Sequence, residues 1–310
     1  MPSDAAIAAI DCGTNSTRLL VADASGRPLE RLMRITRLGQ GVDATGRLAP
    51  EAIERCVAVL AEFRQVMDGL GVGRGRLAAT SAARDAANGT DFLQAAGDTT
   101  GLEPELLSGV EEGRLSLTGA VADLDPAEGP FLVLDIGGGS TELVAGEGPD
   151  DPDLAVVSLQ LGCVRVSERF LTSDPPTSAE LAASRREIGA QLERAVADHP
   201  RFATARRLVG LAGTVSTLVS IHKRMADYDR DLVHHAVLAA ADVQRWYEDL
   251  AADTAAERLA RPGMVPGRQD VIVGGAQILD AVMELLGFDE CLVSEADILD
   301  GLVASQVATG

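Results

Sequence analysis

Aromatic residues are scarce in this chain: Phe, Tyr and Trp make up 3% of its 310 positions, with a single Trp. Its core therefore has to be filled by Ala, Val, Leu and Ile. Positive charge is also short, with 27 Lys and Arg against 47 Asp and Glu, a formal net charge of −20. That balance excludes non-specific binding to nucleic acid, which needs clustered cations that release counterions. Any anionic substrate must be held by local exceptions, namely a few arginines, backbone N–H groups and a metal ion. The four cysteines, Cys12, Cys56, Cys163 and Cys291, lie far apart with no CxxC, and the four histidines form no HExxH, which argues against a zinc site. The N-terminal MPSDAAIAAIDCG has no basic segment, and no run approaches the roughly 18 apolar residues of a membrane span. The expectation is a reduced, cytoplasmic protein that binds neither nucleic acid nor membrane.

What is present is a globular composition, 46% hydrophobic and 24% charged, in a chain longer than one ordinary core sustains. Two lobes are expected, and a repeat supports them. Residues 7–23, IAAIDCGTNSTRLLVAD, read as strand, polar turn and strand. The pattern returns 124 positions later at 131–147, FLVLDIGGGSTELVAGE, matching Asp11 with Asp135, Gly13 with Gly137, Ser16 with Ser140, Thr17 with Thr141 and Leu19 with Leu143. That spacing is too long for a solenoid and suits a duplicated domain.

Between the repeats, residues 50–70 place Ile53, Cys56, Val57, Leu60, Phe63, Met67 and Leu70 at helical spacing behind Pro50. Residues 77–80 read as a strand running into a helix near Ser81. The segment 124–130, LDPAEGP, marks the lobe boundary, giving an N-terminal domain 1–124 and a C-terminal domain 125–310. Thr177 and Glu180 form the signature of a capping box for a helix stopping near Pro200. The last third alternates strands, at 208–211, 271–273 and 292–293, with helices. The order of elements is α/β.

A strand ending in Asp-x-Gly with small hydroxylated residues after it can cradle a phosphoryl group. Glycine lets the backbone turn with its N–H groups outward, and hydroxyls add donors. Two copies can grip one phosphate chain, and Asp11 and Asp135 can hold Mg²⁺ or order a water. In SGVEEGR, residues 108–114, only one of the neighbours Glu111 and Glu112 can face a given direction. Arg18 and Arg84 carry forks suited to phosphate oxygens, and Glu142 can ligate metal or pair with an arginine. Gly213 and Thr214 follow a strand at a helix start and read either as an anion site or as simple capping. Gly274-Gly275 reads as a close-packed helix entry, and His234-His235 as a structural pair.

Together DCGTNSTRLL, RLGQGVDATGRL, ATSAARDAAN, SGVEEGR and LDIGGGSTEL, followed by LAGTVSTL, DLVHHAVL, DVIVGGAQILDAVME and VSEADILDGLV, resemble the exopolyphosphatase and guanosine-pentaphosphate phosphohydrolase family over nearly the whole chain. The resemblance implies a duplicated actin-like, ribonuclease H-like fold, shared with sugar kinases and heat-shock ATPases, with the active site in the interlobe cleft and a terminal helix, about 295–310, packing back on the first domain. It implies Glu112 as the catalytic base, with Asp135 and Glu142 as the acidic pair of the second loop. Phosphate contacts carry over to Gly13, Thr14, Asn15, Ser16, Arg18, Arg84, Gly137, Gly138, Gly139, Ser140 and Thr141. The implied activity is Mg²⁺-dependent removal of the terminal phosphate of short linear polyphosphate. Alternatives are the same chemistry on guanosine pentaphosphate, an actin-fold kinase, or a guanosine polyphosphate sensor. A homodimer is expected from the commonness of dimers. One departure stands out: Glu295-Ala296-Asp297-Ile298-Leu299-Asp300-Gly301 occupies a place where many relatives have Arg-Glu-Gly.

Overall fold

In the computed structural model, which describes residues 5–307, the chain divides into two compact units. One runs to Gly119 and takes in the segment from Asp297 onward; the other is Ala120–Ala296. The outermost residues of the two expected domains, 1–4 and 308–310, lie outside the described residues.

The first unit is built on β1 (Ala6–Cys12), β2 (Ser16–Ala22), β3 (Pro28–Ile35), β4 (Val72–Ala79) and β5 (Pro104–Leu106), in the order β3-β2-β1-β4-β5. β1, β2 and β3 form an antiparallel meander, while β4 and β5 run parallel to β1. Every residue of β1 is buried, so both sheet faces are covered. Strand alternation sends Ala6, Ala8, Ile10 and Cys12 into one cluster with Cys56, Leu60, Phe63 and Met67 of the Pro50–Gly69 helix. Ile7 and Ala9 go to the other face, against Ile298, Leu299, Leu302 and Val303 of the helix Ile298–Val307. Asp11 shares the second face by parity. Two glycines admit this close packing: a Cβ on Gly301 would stand 2.1 Å from the Leu115 carbonyl oxygen, and one on Gly119 2.0 Å from that of Asp297.

The second unit repeats the plan. β6 (Phe131–Ile136), β7 (Thr141–Gly146), β8 (Ala155–Leu159), β9 (Arg207–Leu211), β10 (Val237–Ala239) and β11 (Glu290–Val293) form a sheet ordered β10-β11-β9-β6-β7-β8. β6, β7 and β8 form the antiparallel meander, β9 and β11 extend it in parallel, and β10 adds an antiparallel edge. The five-strand pattern is thus the same in both units, the ribonuclease H-like topology of the actin-like fold. Residues 271–273, read from sequence as a strand, instead enter the helix Ile272–Leu286. Their β-branched side chains imitate a strand, but the apolar spacing continues unbroken along a buried helix. Among the described residues no helix is long and apolar enough to cross a membrane.

The helix Ser178–Asp198 starts with a reciprocal capping box between Thr177 and Glu180. Glu180 also accepts from the N–H and hydroxyl of Thr172 and the N–H of Ser173. Backbone donation from Thr177, then hydroxyl donation from Thr172, lower its carboxyl from 4.5 to about 2. Because the folded value lies below the unfolded one, its stabilisation is complete above pH 4.5 and is lost as pH falls toward about 2. Urea midpoints measured across that window should fall with pH, and Glu180→Gln should remove this contribution to the slope.

Candidate active site

The first hairpin turns at Gly13, whose N–H donates to the Ser16 carbonyl at 3.0 Å. A Cβ there would stand 3.1 Å from that same oxygen. The carbonyls of Thr14 and Asn15 are held from one side, by the N–H groups of Gly39 at 2.9 Å and of Thr36 and Arg37 at 3.1 and 2.9 Å. In a trans peptide N–H and C=O point oppositely, so the N–H groups of Asn15 and Ser16 are directed away from that supporting segment, residues 36–39. The Thr14 hydroxyl is held by Ser81 at 2.8 Å, while Asn15 Nδ2 is a buried donor with no hydrogen-bond partner.

Asp11 lies opposite Arg18 in the β1–β2 register. Arg18 donates Nε and Nη2 to Asp11 Oδ2, at 3.0 and 2.6 Å, and Nη1 to Asp297 Oδ2. The guanidinium expected on a phosphate is therefore seated between two carboxylates. Asp11 is 3% exposed, and its Oδ1 is buried without a hydrogen-bond partner. Burial pushes its carboxyl above the ordinary value, while Arg18 pulls the other way.

A cap separates Glu111 from Glu112. Ser108 Oγ accepts from the Glu111 N–H at 3.3 Å, and the Glu111 carboxylate accepts from the Ser108 N–H at 2.9 Å. This reciprocal box opens the helix Gly109–Ala120 and turns Glu111 outward. Glu112, one residue on, is rotated by about 100° and is 9% exposed. Its Oε2 lies 3.5 Å from Arg84 Nη1, which donates to the Leu107 carbonyl at 2.7 Å. Arg84 and Glu112 are thus brought together.

In the second unit the glycine run turns its N–H groups outward by the same logic. The carbonyls of Gly137 and Gly138 accept from Cys163 and Val164, both at 2.9 Å, and Gly138 also accepts from Arg165 at 3.1 Å. Arg165 Nε donates to the Gly139 carbonyl at 2.7 Å. With three successive carbonyls turned to the start of the helix Cys163–Phe170, the N–H groups of Gly138, Gly139 and Ser140 point the other way. Neither Arg165 nor Gly162, which makes room for this contact, was singled out in the sequence.

Asp135 and Glu142 lie directly opposite in the β6–β7 register, on the face that also carries Val133 and Val144. Both are buried, and Ser158 Oγ donates to Glu142 Oε1 at 2.7 Å. A hard dication is bound through one or two carboxylates, and this cross-strand pair supplies two. These residues therefore fit Mg²⁺. Asp11 fits less well as a direct ligand, since Arg18 occupies Oδ2.

Two expected contacts fall elsewhere. Thr141 shares parity with Leu143 and Ala145, which face the core, and its hydroxyl is buried without a hydrogen-bond partner. Thr214 is also buried, with Oγ1 2.2 Å from where a Cβ on Gly275 would stand. Gly213 follows Ala212, whose φ of 66° is strained for a non-glycine residue. A Cβ on Gly213 would lie 1.8 Å from the Arg268 guanidinium. Arg268, buried against this helix start, is a cation that sequence reasoning missed. His234 and His235 stack at 3.9 Å beside Asp123. His234 Nδ1 accepts from the Glu295 N–H at 3.1 Å, so in the neutral ring Nε2 carries the proton and donates to Asp123. With Asp123 the two rings form a group of three that could hold a metal ion, their ligand atoms all within 4.8 Å of one another.

Two ribonuclease H-like halves, each with a hairpin carrying outward N–H groups and a strand-end carboxylate, define the chain as an actin-like two-domain protein. It belongs to the Ppx/GppA phosphatase family, whose sequence model matches residues 20–309. It is 43% identical to Exopolyphosphatase 2 of Mycobacterium tuberculosis, covering 96% of this chain and 98% of that protein. The crystal structure of an exopolyphosphatase-like protein superposes with a TM-score of 0.92 at 34% identity, covering 98% of this chain and 99% of the other. The Aquifex aeolicus PPX-GPPA enzyme gives 0.80 at 31%, covering 97% and 99%.

Proposed function

We propose that the chain is an exopolyphosphatase that removes the terminal phosphate of short linear polyphosphate. The observation that carries this is Glu112, a carboxylate turned inward by the Ser108–Glu111 cap and held beside Arg84. Its kinship with Exopolyphosphatase 2 supports the choice of substrate. Glu112 takes a proton from water as the water oxygen attacks the terminal phosphorus. The bridging P–O bond breaks, and the shortened chain leaves with that oxygen. Phosphoryl transfer asks little covalent work of a protein, so the rest is positioning and charge. The N–H groups of Gly138, Gly139 and Ser140 on one unit, and those of Asn15 and Ser16 on the other, are each turned outward as donors for phosphate oxygens. Asp135 and Glu142 would hold Mg²⁺, which neutralises phosphate charge when bound. Four free, buried cysteines accord with a reducing cytoplasm.

Phosphate release from tripolyphosphate, long polyphosphate and guanosine pentaphosphate, run side by side with Mg²⁺, tests this. Fastest release from tripolyphosphate is expected. Release from the guanosine nucleotide alone would transfer the site to that substrate, and no release would reject hydrolysis. The cation assignment has its own readout, Mn²⁺ binding followed by electron paramagnetic resonance. Glu142→Gln should weaken it at least about tenfold, and Ser158→Ala, which removes the donor orienting Glu142, by a smaller factor. Unchanged affinity in Glu142→Gln would move the cation elsewhere.

A further inference from the structure

Arg18 has two carboxylate partners, and the second, Asp297, comes from the far end of the chain, just ahead of the helix Ile298–Val307. Asp297 is 7% exposed. Its Oδ1 accepts from the Leu299 N–H at 2.9 Å, and its own N–H donates to Asp300 Oδ2 at 2.8 Å, a reciprocal cap on the helix Ile298–Val307. Arg31 lies 3.6 Å from Asp297 Oδ1 and donates to both oxygens of Asp300 at 2.6 Å. The backbone of Asp297 is seated where Gly119 leaves no side chain, 2.0 Å from the position a Cβ would take. Asp297 is therefore a rigid anchor, and what it anchors is the far edge of the Arg18 guanidinium.

We propose that Asp297 is a positioning residue for phosphate hydrolysis: it keeps Arg18 seated on Asp11 Oδ2, so that Asp11 Oδ1 stays oriented as an acceptor for water at the substrate. Arg18 then acts through Asp11 and not by direct contact with phosphate. Charge supports this division of labour. Asp11, Asp297 and Asp300 supply three negative charges and Arg18 and Arg31 two positive ones. Arg18 could reach a phosphate only by leaving two buried carboxylates, and breaking a buried pair is strongly unfavourable. Asp11 Oδ1 is the group in this network left buried and without a hydrogen-bond partner, the kind of atom that a bound water satisfies.

The inference rests on the phosphatase reading, and its test separates the two. Asp297→Asn, with Asp297→Ser as a second variant, removes the charge but keeps a helix-capping oxygen. The readout independent of turnover is hydrogen exchange at Arg18 Nε–H, followed by ¹⁵N nuclear magnetic resonance on the whole chain. Exchange should quicken at least about tenfold in both variants as Arg18 loosens from Asp11; an unchanged rate overturns the proposal. With tripolyphosphate, kcat should fall about tenfold or more while KM stays within about twofold, the signature of lost positioning. A lower KM with kcat intact would mean that Asp297 had been withholding Arg18 from phosphate, and would also overturn it. If the wild-type chain hydrolyses none of the three substrates, the phosphatase reading fails, and the exchange measurement still decides whether Asp297 holds Arg18.

Discussion

Glu112→Gln should lower kcat by about 10²–10⁴-fold, the usual worth of a positioned general base, and leave the fold standing. The exchange is isosteric, so the helix Gly109–Ala120 keeps its packing, and its cap lies on Ser108 and Glu111, not on Glu112. Arg84 loses a partner at 3.5 Å but keeps the Leu107 carbonyl at 2.7 Å. Its side chain is 23% exposed, so water takes up part of the freed charge. Glu111→Gln is the informative companion. It weakens a surface cap, should shift the unfolding temperature slightly, and should leave kcat unchanged. A rate lost in Glu111→Gln and kept in Glu112→Gln would exchange the roles of the neighbours. Equal, modest losses in both would mean that neither carboxylate takes the proton.

Much of this site is legible in the sequence because its parts are local. A strand–turn–strand pattern with small turn residues gives each hairpin, and a fixed offset pairs Asp11 with Asp135 and Gly13 with Gly137. The choice between Glu111 and Glu112 was legible too, since Ser108-Gly109-Val110-Glu111 carries the capping-box signature that sends Glu111 outward. Strand parity could likewise have removed Thr141 from the phosphate contacts, because it falls in step with Leu143 and Ala145. What sequence does not carry is contact made through the tertiary fold. Arg268 meets Gly213 across more than fifty residues, and Asp297 meets Arg18 from the opposite end of the chain. Neither partner has a local pattern that points to the other. Residues 271–273 failed for a different reason: a short apolar β-branched run has no period of its own, and only the longer helix around it decides.

Gly162→Ala should impair both stability and activity, although Gly162 touches no expected substrate atom. Its φ of −154° and ψ of 160° are ordinary extended values, so conformational freedom is not the reason glycine stands there. Space is. A Cβ would lie 2.3 Å from the Gly138 oxygen, 2.4 Å from the Gly138 carbonyl carbon and 2.6 Å from the Gly139 carbonyl carbon. These are backbone atoms, with no flexible side chain to swing aside. Relief to an ordinary contact near 3.4 Å requires the Gly137–Gly139 run to retreat by about 1 Å. That retreat also stretches the bonds from Cys163 and Val164 that turn the carbonyls inward. Overpacking of this kind costs about 1–3 kcal/mol, and misplacing a binding group by about 1 Å can cost ~10²-fold in rate. Gly189→Ala is the matched control. Nothing lies within 4 Å of its Cβ position, inside the helix Ser178–Asp198, so it should be neutral or stabilise by about 0.5–1 kcal/mol. Thermal unfolding and kcat/KM on both variants decide the matter. A Gly162→Ala protein as stable and active as the wild type would mean that the glycine run does not depend on its seat against the helix start, and would remove the geometric basis for its outward N–H groups.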